Sequence, residues 1–407
     1  MEKTMVELFA GVGGFRVGME RLNEGWRTVW FSQWEPGAKN QWAHDCYVRH
    51  FGDSQDLNGN YTTGIDIASV DKTTIPNHSL LVGGFPCQDY SVAHSLSTSR
   101  GLEGKKGVLW WQIRDILIEK NPPFVLLENV DRLIKSPAKQ RGRDFGVILA
   151  CFAEQGYSAE WRVVNAAQYG AAQRRRRTFI FAYKNNTHYG QMMNQIQMED
   201  IVNNDGLMVR AFPITEPVVK FKRIVLDEKH DVVNVSDNFR YDFESAGFMR
   251  EWEVITAKIT ELEEPSITLG EILMPCDNDE YFIKSSDLPS WVEMKGAKKK
   301  ERTTEDGHTY TFSEGAIPFL DYHNKPGRTM LTSEGTKNRS THIVADPMTG
   351  TVRILTPIEC ERLQGFPDNW TEGMPDRMRR FCMGNALVVP MITRMGREIS
   401  RIIEEED

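Results

Sequence analysis

The sequence predicts an α/β protein in which one doubly wound sheet is joined to a second, smaller and irregular domain. Three observations predict it. Apolar strand-like runs alternate with stretches of helical period over the first 185 residues. The pattern breaks between residues 187 and 326, where short apolar runs are interrupted by Pro, Gly, Asn and charge. Order returns after about residue 327. The expected domains are therefore 1–186, 187–326 and a segment 327–407 that returns to complete the first.

The expected strands are residues 5–9, 28–31, 79–82, 124–127, 161–164 and 178–183. Residues 108–120 carry apolar side chains at 109, 110, 113, 116 and 117, which is helical spacing. Residues 144–155 read as a second helix, with Asp144 as its cap. Beyond the break, residues 352–365 read as a strand or turn followed by a helix capped by Thr356-Pro357-Ile358-Glu359. Residues 390–404 read as a terminal helix.

A chain of 407 residues holds about two or three domains. No run approaches the ~20 apolar residues of a membrane span. The opening Met-Glu-Lys-Thr-Met-Val-Glu-Leu-Phe has neither the apolar region nor the cleavage site of a signal peptide. The expectation is a cytoplasmic protein with no membrane attachment. Six cysteines stand at 46, 87, 151, 276, 360 and 382, with no CxxC and no metal-spaced His pair. Free thiols are expected, with no disulfides and no metal.

The net charge of −8 argues weakly against a nucleic-acid partner. A groove's local field matters more than the total, however. Basic clusters occur at Arg174-Arg175-Arg176-Arg177, at Lys298-Lys299-Lys300 with Lys295 and Arg302, and at Arg377, Arg379 and Arg380. A solvated face is the plainer reading of the last two.

Open α/β sheets bind ligands at the carboxyl ends of their strands. Three unusual segments each follow an expected strand and should meet on that edge. Phe9-Ala10-Gly11-Val12-Gly13-Gly14-Phe15 allows a tight turn and close backbone approach to a ligand. It matches neither a Walker loop nor GxGxxG, so a phosphate cradle is not favoured. Gly83-Gly84-Phe85-Pro86-Cys87-Gln88 places a cysteine in a Gly/Pro-rich turn, where it should be exposed. Thiols are intrinsically strong nucleophiles, although a lone cysteine is more often structural. Leu126-Leu127-Glu128-Asn129-Val130 sets a carboxylate at the end of a buried run, where it either shares a proton or caps the next element.

Together these segments resemble the DNA cytosine-5 methyltransferase family. Phe9-x-Gly11-x-Gly13 resembles its first cofactor motif, Pro86-Cys87-Gln88 its catalytic motif, and Glu128-Asn129-Val130 its ENV motif. Gln173-Arg174-Arg175-Arg176-Arg177 resembles its Gln-x-Arg-x-Arg motif. Residues 353–367 resemble the segment leading to the C-terminal region, and Gly384-Asn385-Ala386 the last motif. Six pieces occur in the family's order. The resemblance implies a Rossmann-like, S-adenosylmethionine-dependent methyltransferase sheet with a target-recognition domain at 187–326. It also implies a transfer to carbon 5 of a flipped-out cytosine in double-stranded DNA, leaving S-adenosylhomocysteine.

In this resemblance Cys87 attacks carbon 6, Glu128 contacts N3 and the exocyclic amine, and Arg175 and Arg177 hold the base. Phe9, Gly11, Gly13 and Gly14 line the methionine end of the cofactor. Asp66 and Ile67 take the adenine, while Leu109, Asn385 and Ala386 close the pocket. The family's acidic ribose ligand is replaced here, because Gln33 stands at that position. Trp34 is then placed against the adenine and Glu35 at the ribose. Residues 91–106 resemble the mobile loop after the catalytic cysteine, although an ordinary surface loop reads the same way. A compact chain of this kind resembles bacterial enzymes acting as monomers, often beside a restriction endonuclease cutting the same site. Three rival readings stand beside this one, the first a generic α/β nucleotide-binding enzyme, which would leave Pro-Cys, ENV and Gln-x-Arg-x-Arg together unexplained. A tRNA-directed enzyme of the same fold would lack so long a variable region, and a catalytically silent DNA binder would lack Cys87 or Glu128.

Overall fold

The apolar runs of the N-terminal half become the strands of one sheet. The computed structural model describes residues 1–85, 109–303, 307 and 309–406. By internal contacts the chain divides into two units. The first comprises Met1–Tyr169, Arg176–Glu264 and Leu387–Asp407, the second Gly170–Arg175 and Pro265–Ala386.

In the first unit, β1 (Thr4–Leu8), β2 (Arg27–Ser32), β3 (Leu80–Gly84) and β4 (Phe124–Val130) run parallel. Next come β5 (Tyr157–Asn165) and β6 (Arg176–Lys184), then β7 (Lys222–Val225), β8 (Ala246–Arg250) and β9 (Glu253–Ala257). The sheet order is β2-β1-β3-β4-β6-β5-β8-β9-β7, antiparallel from β6 outward. Crossover helices α1 (Gly14–Glu20), α2 (Trp42–Phe51), α3 (Leu109–Lys120) and α4 (Arg143–Glu154) follow the pattern of the sequence. Trp110, Ile113, Ile116 and Leu117 of α3 are buried, as their spacing predicts. They join Val6, Leu8, Leu81, Val125 and Leu127 of the strands in one core. Burying each such side chain contributes about 1.5–3 kcal/mol.

Two local expectations are corrected. Asp144 does not cap α4. Gly142, at φ 77°, is the N-cap, and Asp144 lies buried in the first turn beside Arg143 at 2.8 Å. A side chain at Gly142 would collide with the carbonyl of Tyr241, so the glycine sets where the helix starts. Second, residues 222–257, which read as irregular, extend the sheet. The β8–β9 hairpin turns through Glu251 and Trp252 at φ 49° and 72°. Both residues of such a turn need positive φ, which Asn-Gly normally supplies. Glu-Trp carries no such signal. Burial of Trp252 and its stacking on His230 (centroids 5.0 Å apart) offset the backbone cost.

A buried pair on β5 anchors the antiparallel half. Glu160 accepts from the amides of Leu207 and Met208 at 2.9 and 3.0 Å, at the start of helix Leu207–Ala211. Arg162, two residues on and therefore on the same face, donates to the carbonyls of Met208 and Phe212. Acid at the helix start and base at its end both complement the helix dipole.

In the second unit, β10 (Lys298–Thr303) pairs with β11 (Thr309–Glu314), and β12 (Ile343–Ala345) with β13 (Val352–Ile354). Helix Pro357–Gln364 begins with the expected capping box, Thr356 and Glu359 each bonding the other's amide. Glu359 also binds Arg353, a guanidinium with no solvent exposure. Arg353 contacts Asp346 at 3.0 Å, both Glu359 oxygens at 2.8 and 2.7 Å, and the Met274 carbonyl at 2.7 Å. No described helix is long and apolar enough to cross a membrane.

Removing the cation from this cluster should be severe, because two carboxylates are left buried and uncompensated. Arg353→Met is expected to cost about 3–5 kcal/mol, seen as a lowered denaturation midpoint. An unchanged midpoint would show that the cluster adds nothing to stability.

Candidate active site

The parallel strands end at one level. In the pairing register Leu8 lies opposite Ser32 and Gly83, Gly83 opposite Leu127, and Gly84 opposite Glu128. Neighbouring strands are ~4.8 Å apart. The turns after β1, β2 and β3 and the side chain of Glu128 thus share one edge. β1 lies between β2 and β3 and is the switch point of the sheet, where open α/β sheets take their ligands.

The turn after β1 is held in a left-handed zigzag, with Phe9 at φ 53°, Gly11 at 56° and Gly13 at 88°. For phenylalanine this conformation is strained, as is common where backbone geometry serves a ligand. A Cβ at Gly13 would strike the rings of Phe51 and Tyr47, whereas one at Gly11 would meet nothing within 4 Å. Gly11 therefore presents bare backbone to open space. Gly14, buried, opens α1.

The turn closes on itself through the Gly13 amide and the Ala10 carbonyl at 2.9 Å, and three further bonds tie it to its surroundings. The Ala10 amide donates to the Ser32 carbonyl at 2.9 Å, the Gly11 amide to Gln33 Oε1 at 2.7 Å, and the Phe15 amide to Glu7 Oε1 at 3.2 Å. Glu7 is fully buried within β1, and its other oxygen accepts from the Tyr47 hydroxyl at 3.1 Å. Burial pushes its carboxyl up to about 8, so the group is mainly protonated at neutral pH. Tyr47 in turn stacks on Phe31 of β2, centroids 3.9 Å apart. Glu7 and Tyr47, and the bond from Gly11 to Gln33, are not foreseen from the sequence. The one available signal is a carboxylate inside the apolar run Met-Val-Glu-Leu-Phe.

Gln33 also explains the missing acid after β2. Its side chain is spent on Gly11, and its amide donates to the Thr63 carbonyl at 2.9 Å. That second bond draws the loop before Asp66 alongside. Trp34 follows with 37% exposure, a large apolar ring left in solvent. Glu35 is half-buried, and burial raises its carboxyl. Gln41 brackets its backbone by accepting from the amide at 2.7 Å and donating to the carbonyl at 3.0 Å. Asp66 Oδ1 accepts from the Ala68 amide at 3.0 Å and caps the turn Ile67–Ser69, with Ile67 buried beneath. Leu109 begins α3, packed on the core.

On β4, Glu128 Oε1 meets Arg177 Nε of β6 at 2.8 Å. A Cβ at Gly84 would lie 3.3 Å from Glu128 Oε2, so glycine leaves this carboxylate its space. Asn129 Nδ2 donates to the Phe85 carbonyl at 2.8 Å, and its Oδ1 accepts from the Val130 amide. The asparagine thereby fixes the residue that precedes Pro86. Cys87 and the loop 91–106 lie outside the described residues. The described cysteines at 46, 151, 360 and 382 are buried. Burial pushes the Cys151 thiol up to about 12 and raises Cys360 strongly.

The arginines of the Gln-x-Arg-x-Arg segment take different places. Arg177 stands at Glu128. Arg175 is buried in the second unit and donates to the carbonyls of Met330 and Gly384, each at 2.9 Å. Arg176 lies 3.5 Å from Asp131. Asn385 is exposed at the end of helix Asp376–Asn385, and the Ala386 amide donates to the Cys382 carbonyl. Both belong to the second unit. Lys295, counted in a basic cluster, is buried and donates to the Thr341 carbonyl at 2.5 Å.

The proton on Glu7 makes a stability prediction. The group's folded pKa lies above its unfolded value of 4.5. Its stabilising contribution is therefore complete below pH 4.5 and is lost as pH rises through about 8. Glu7→Gln keeps an acceptor for Phe15 and cannot ionise. Its stability relative to wild type should rise between pH 5 and 9, by up to about 4 kcal/mol. Parallel melting curves for the two proteins across that range would contradict the assignment.

The model of the family described as C-5 cytosine-specific DNA methylase matches residues 3–401. The chain is 49% identical over 401 residues to the type II methyltransferase M.Sau3AI of Staphylococcus aureus, covering 98% of this chain and 95% of that one. It is 32% identical over 396 residues to M.SsoII of Shigella sonnei, covering 97% and 79%. Among solved structures, Schizosaccharomyces pombe Dnmt2 aligns with a TM-score of 0.59 at 14% identity, covering 99% of each chain. Spodoptera frugiperda DNMT2 aligns with a TM-score of 0.60 at 14% identity, covering 99% and 100%. The structural likeness establishes the S-adenosylmethionine-dependent methyltransferase fold. The match along nearly the whole sequence establishes more: the chain belongs to the C-5 cytosine-specific DNA methylases and is a DNA cytosine-5 methyltransferase.

Proposed function

We propose that this enzyme methylates cytosine within one short duplex sequence, through a covalent adduct on Cys87, as the modification partner of a restriction endonuclease. The observation that carries the mechanism is the Glu128–Arg177 pair, set on the strand beside the one that leads into Pro86-Cys87. The restriction–modification setting rests on the relatives described as type II methyltransferases. A cytoplasmic monomer fits that setting.

The chemistry needs three things of the protein. Cytosine carbon 5 is too weak a nucleophile to take a methyl group directly. Addition of the Cys87 thiolate at carbon 6 makes carbon 5 enamine-like. Buried thiols such as Cys151 are held in the unreactive protonated form, which supports Cys87 as the nucleophile. Glu128 contacts N3 and the exocyclic amine and stabilises charge developing on the ring. Arg177 holds that carboxylate in place, while Arg175 donates to the backbone carbonyls of Met330 and Gly384. Loss of the carbon 5 proton and expulsion of the cysteine sulfur complete the turnover. The target base must leave the helix to be reached, at a cost of roughly a few kcal/mol.

S-adenosylmethionine supplies an electrophilic methyl group and leaves as S-adenosylhomocysteine. The residues present fit it. The bare backbone at Gly11, with Phe9, Gly13 and Gly14, suits the methionine end. Exposed Trp34 offers a stacking face, and Asp66 Oδ2 remains to accept from the adenine amine beside Ile67. Glu35 is the remaining acid for the ribose, and Leu109 closes one side. Asn385 and Ala386 are assigned to the cofactor by the order of the family's motifs. We assign target recognition to the region 187–326, within its portion from Pro265 onward, because residues 222–257 serve the sheet.

The direct test is to incubate protein, cofactor and unmethylated duplex, then map 5-methylcytosine at single-base resolution. Modification confined to one short context is expected, and its absence from protein that binds cofactor would sink the proposal. Cys87→Ala should abolish transfer with cofactor affinity nearly unchanged, whereas substantial residual turnover would rule out the covalent route. Asp66→Ala should weaken cofactor binding about tenfold or more, the loss of about one charge-assisted hydrogen bond. An unchanged affinity by calorimetry would remove Asp66 from the adenine site.

A further inference from the structure

We infer that the two-stranded ribbon β10–β11 is the element of the second unit that enters a groove of the DNA. The inference rests on the duplex-methylating reading and names the part of the chain that grips the duplex. The ribbon is an isolated antiparallel pair in six-residue register, from Lys298 opposite Glu314 to Thr303 opposite Thr309. No other strand pairs with it among the described residues. Glu301, Thr303, Thr309, Tyr310, Thr311, Ser313 and Glu314 are exposed, as is Lys299. A free hairpin of this size is marginally stable in water, so its foot needs fastening.

The foot is fastened on both sides. Arg339 donates to the Gly296 carbonyl at 2.9 Å before β10 and to the Gly315 carbonyl after β11. The Ile317 amide donates to the Lys295 carbonyl at 3.0 Å. The Lys295 ammonium, buried at the foot, binds the Thr341 carbonyl and lies 3.9 Å from Asp321. Asp321 is itself clamped by Arg328 at 2.5 and 3.1 Å. The base is thus rigid while the blade is solvated, an arrangement suited to a partner that surrounds the blade.

Charge and shape identify the partner. The strand Lys-Lys-Lys-Glu-Arg-Thr carries four cations against one anion in a chain of net charge −8. The opposite strand, Thr-Tyr-Thr-Phe-Ser-Glu, supplies hydroxyl groups. Cations neutralise phosphates, and Ser and Thr hydroxyls bond to base edges of either kind. Two strands ~4.8 Å apart and ~20 Å long fit a major groove about 12 Å wide, which admits such a ribbon. We assign phosphate contacts to Lys298 and Lys299, and base or sugar contacts to Tyr310 and Thr311.

The test uses the full-length enzyme and a labelled duplex carrying the sequence found by methylation mapping, at several salt concentrations. Lys298→Gln with Lys299→Gln should weaken duplex binding about tenfold or more and reduce the salt slope by about 2, one unit per phosphate contact. Tyr310→Ala with Thr311→Ala should leave the salt slope unchanged and narrow the gap between this duplex and a scrambled one. Cofactor affinity and the circular dichroism spectrum, followed for each variant, should match wild type. Wild-type duplex affinity and salt slope in both folded variants would overturn the inference and leave the ribbon to a protein partner. The duplex is chosen by methylation, so a failed binding prediction overturns the ribbon while the activity stands, and a failed methylation map overturns the activity before the ribbon is tested.

Discussion

A carboxyl group with no water around it, Glu7 inside β1, governs the geometry of the sheet's working edge. A buried acid costs several kcal/mol to ionise without a partner, so it keeps its proton and acts as a neutral hydrogen-bonding post. From that post it holds the Phe15 amide in the first turn of α1 and the hydroxyl of Tyr47. Tyr47 bears on Phe31 and on the space a side chain at Gly13 would need. The helix start, the glycine turn and the second strand are thereby referred to one side chain.

The same logic runs along the edge. At a strand's end the main chain loses its ladder partners, and each freed amide or carbonyl needs another. Gln33 serves Gly11, and Asn129 serves Phe85 and Val130. Neither is placed to react. Each uses an amide side chain to hold the backbone at the end of a strand, and Asn129 does so directly beside Glu128. Positioning here is done by neutral amides, and the charge is concentrated in the Glu128–Arg177 pair.

The alternating half of the fold was legible because strand and helix periods there are clean: all six strands expected before residue 185 form in place. The β8–β9 hairpin was not, since Glu251-Trp252 adopts a turn whose usual residues are absent. Glu128 was legible as a carboxylate ending a buried run. Glu7 was not, because period alone cannot separate a buried acid from one at a strand's margin. Arg175 and Arg177 look equivalent in sequence, yet one lies buried against carbonyls and the other faces a carboxylate. A two-residue spacing on an extended chain says that both side chains share a side, but not which of them is enclosed.

Net charge misled for a related reason, and the correction bears on how an acidic protein handles a polyanion. Many of its arginines are engaged within the protein. Arg353 lies between two carboxylates, Arg379 binds Glu361, Arg380 binds the Leu355 carbonyl, and Arg394 forks onto Glu264. These guanidiniums hold the protein together, and their planar, multi-donor shape suits that task. Lys298, half-buried, and Lys299, exposed, have no such internal duty among the described contacts. A lysine is a mobile point charge, well matched to phosphates whose positions vary along a groove. Arginines spent on internal carboxylates and carbonyls make the net charge of −8 a poor guide to the local field of a chain that acts on DNA.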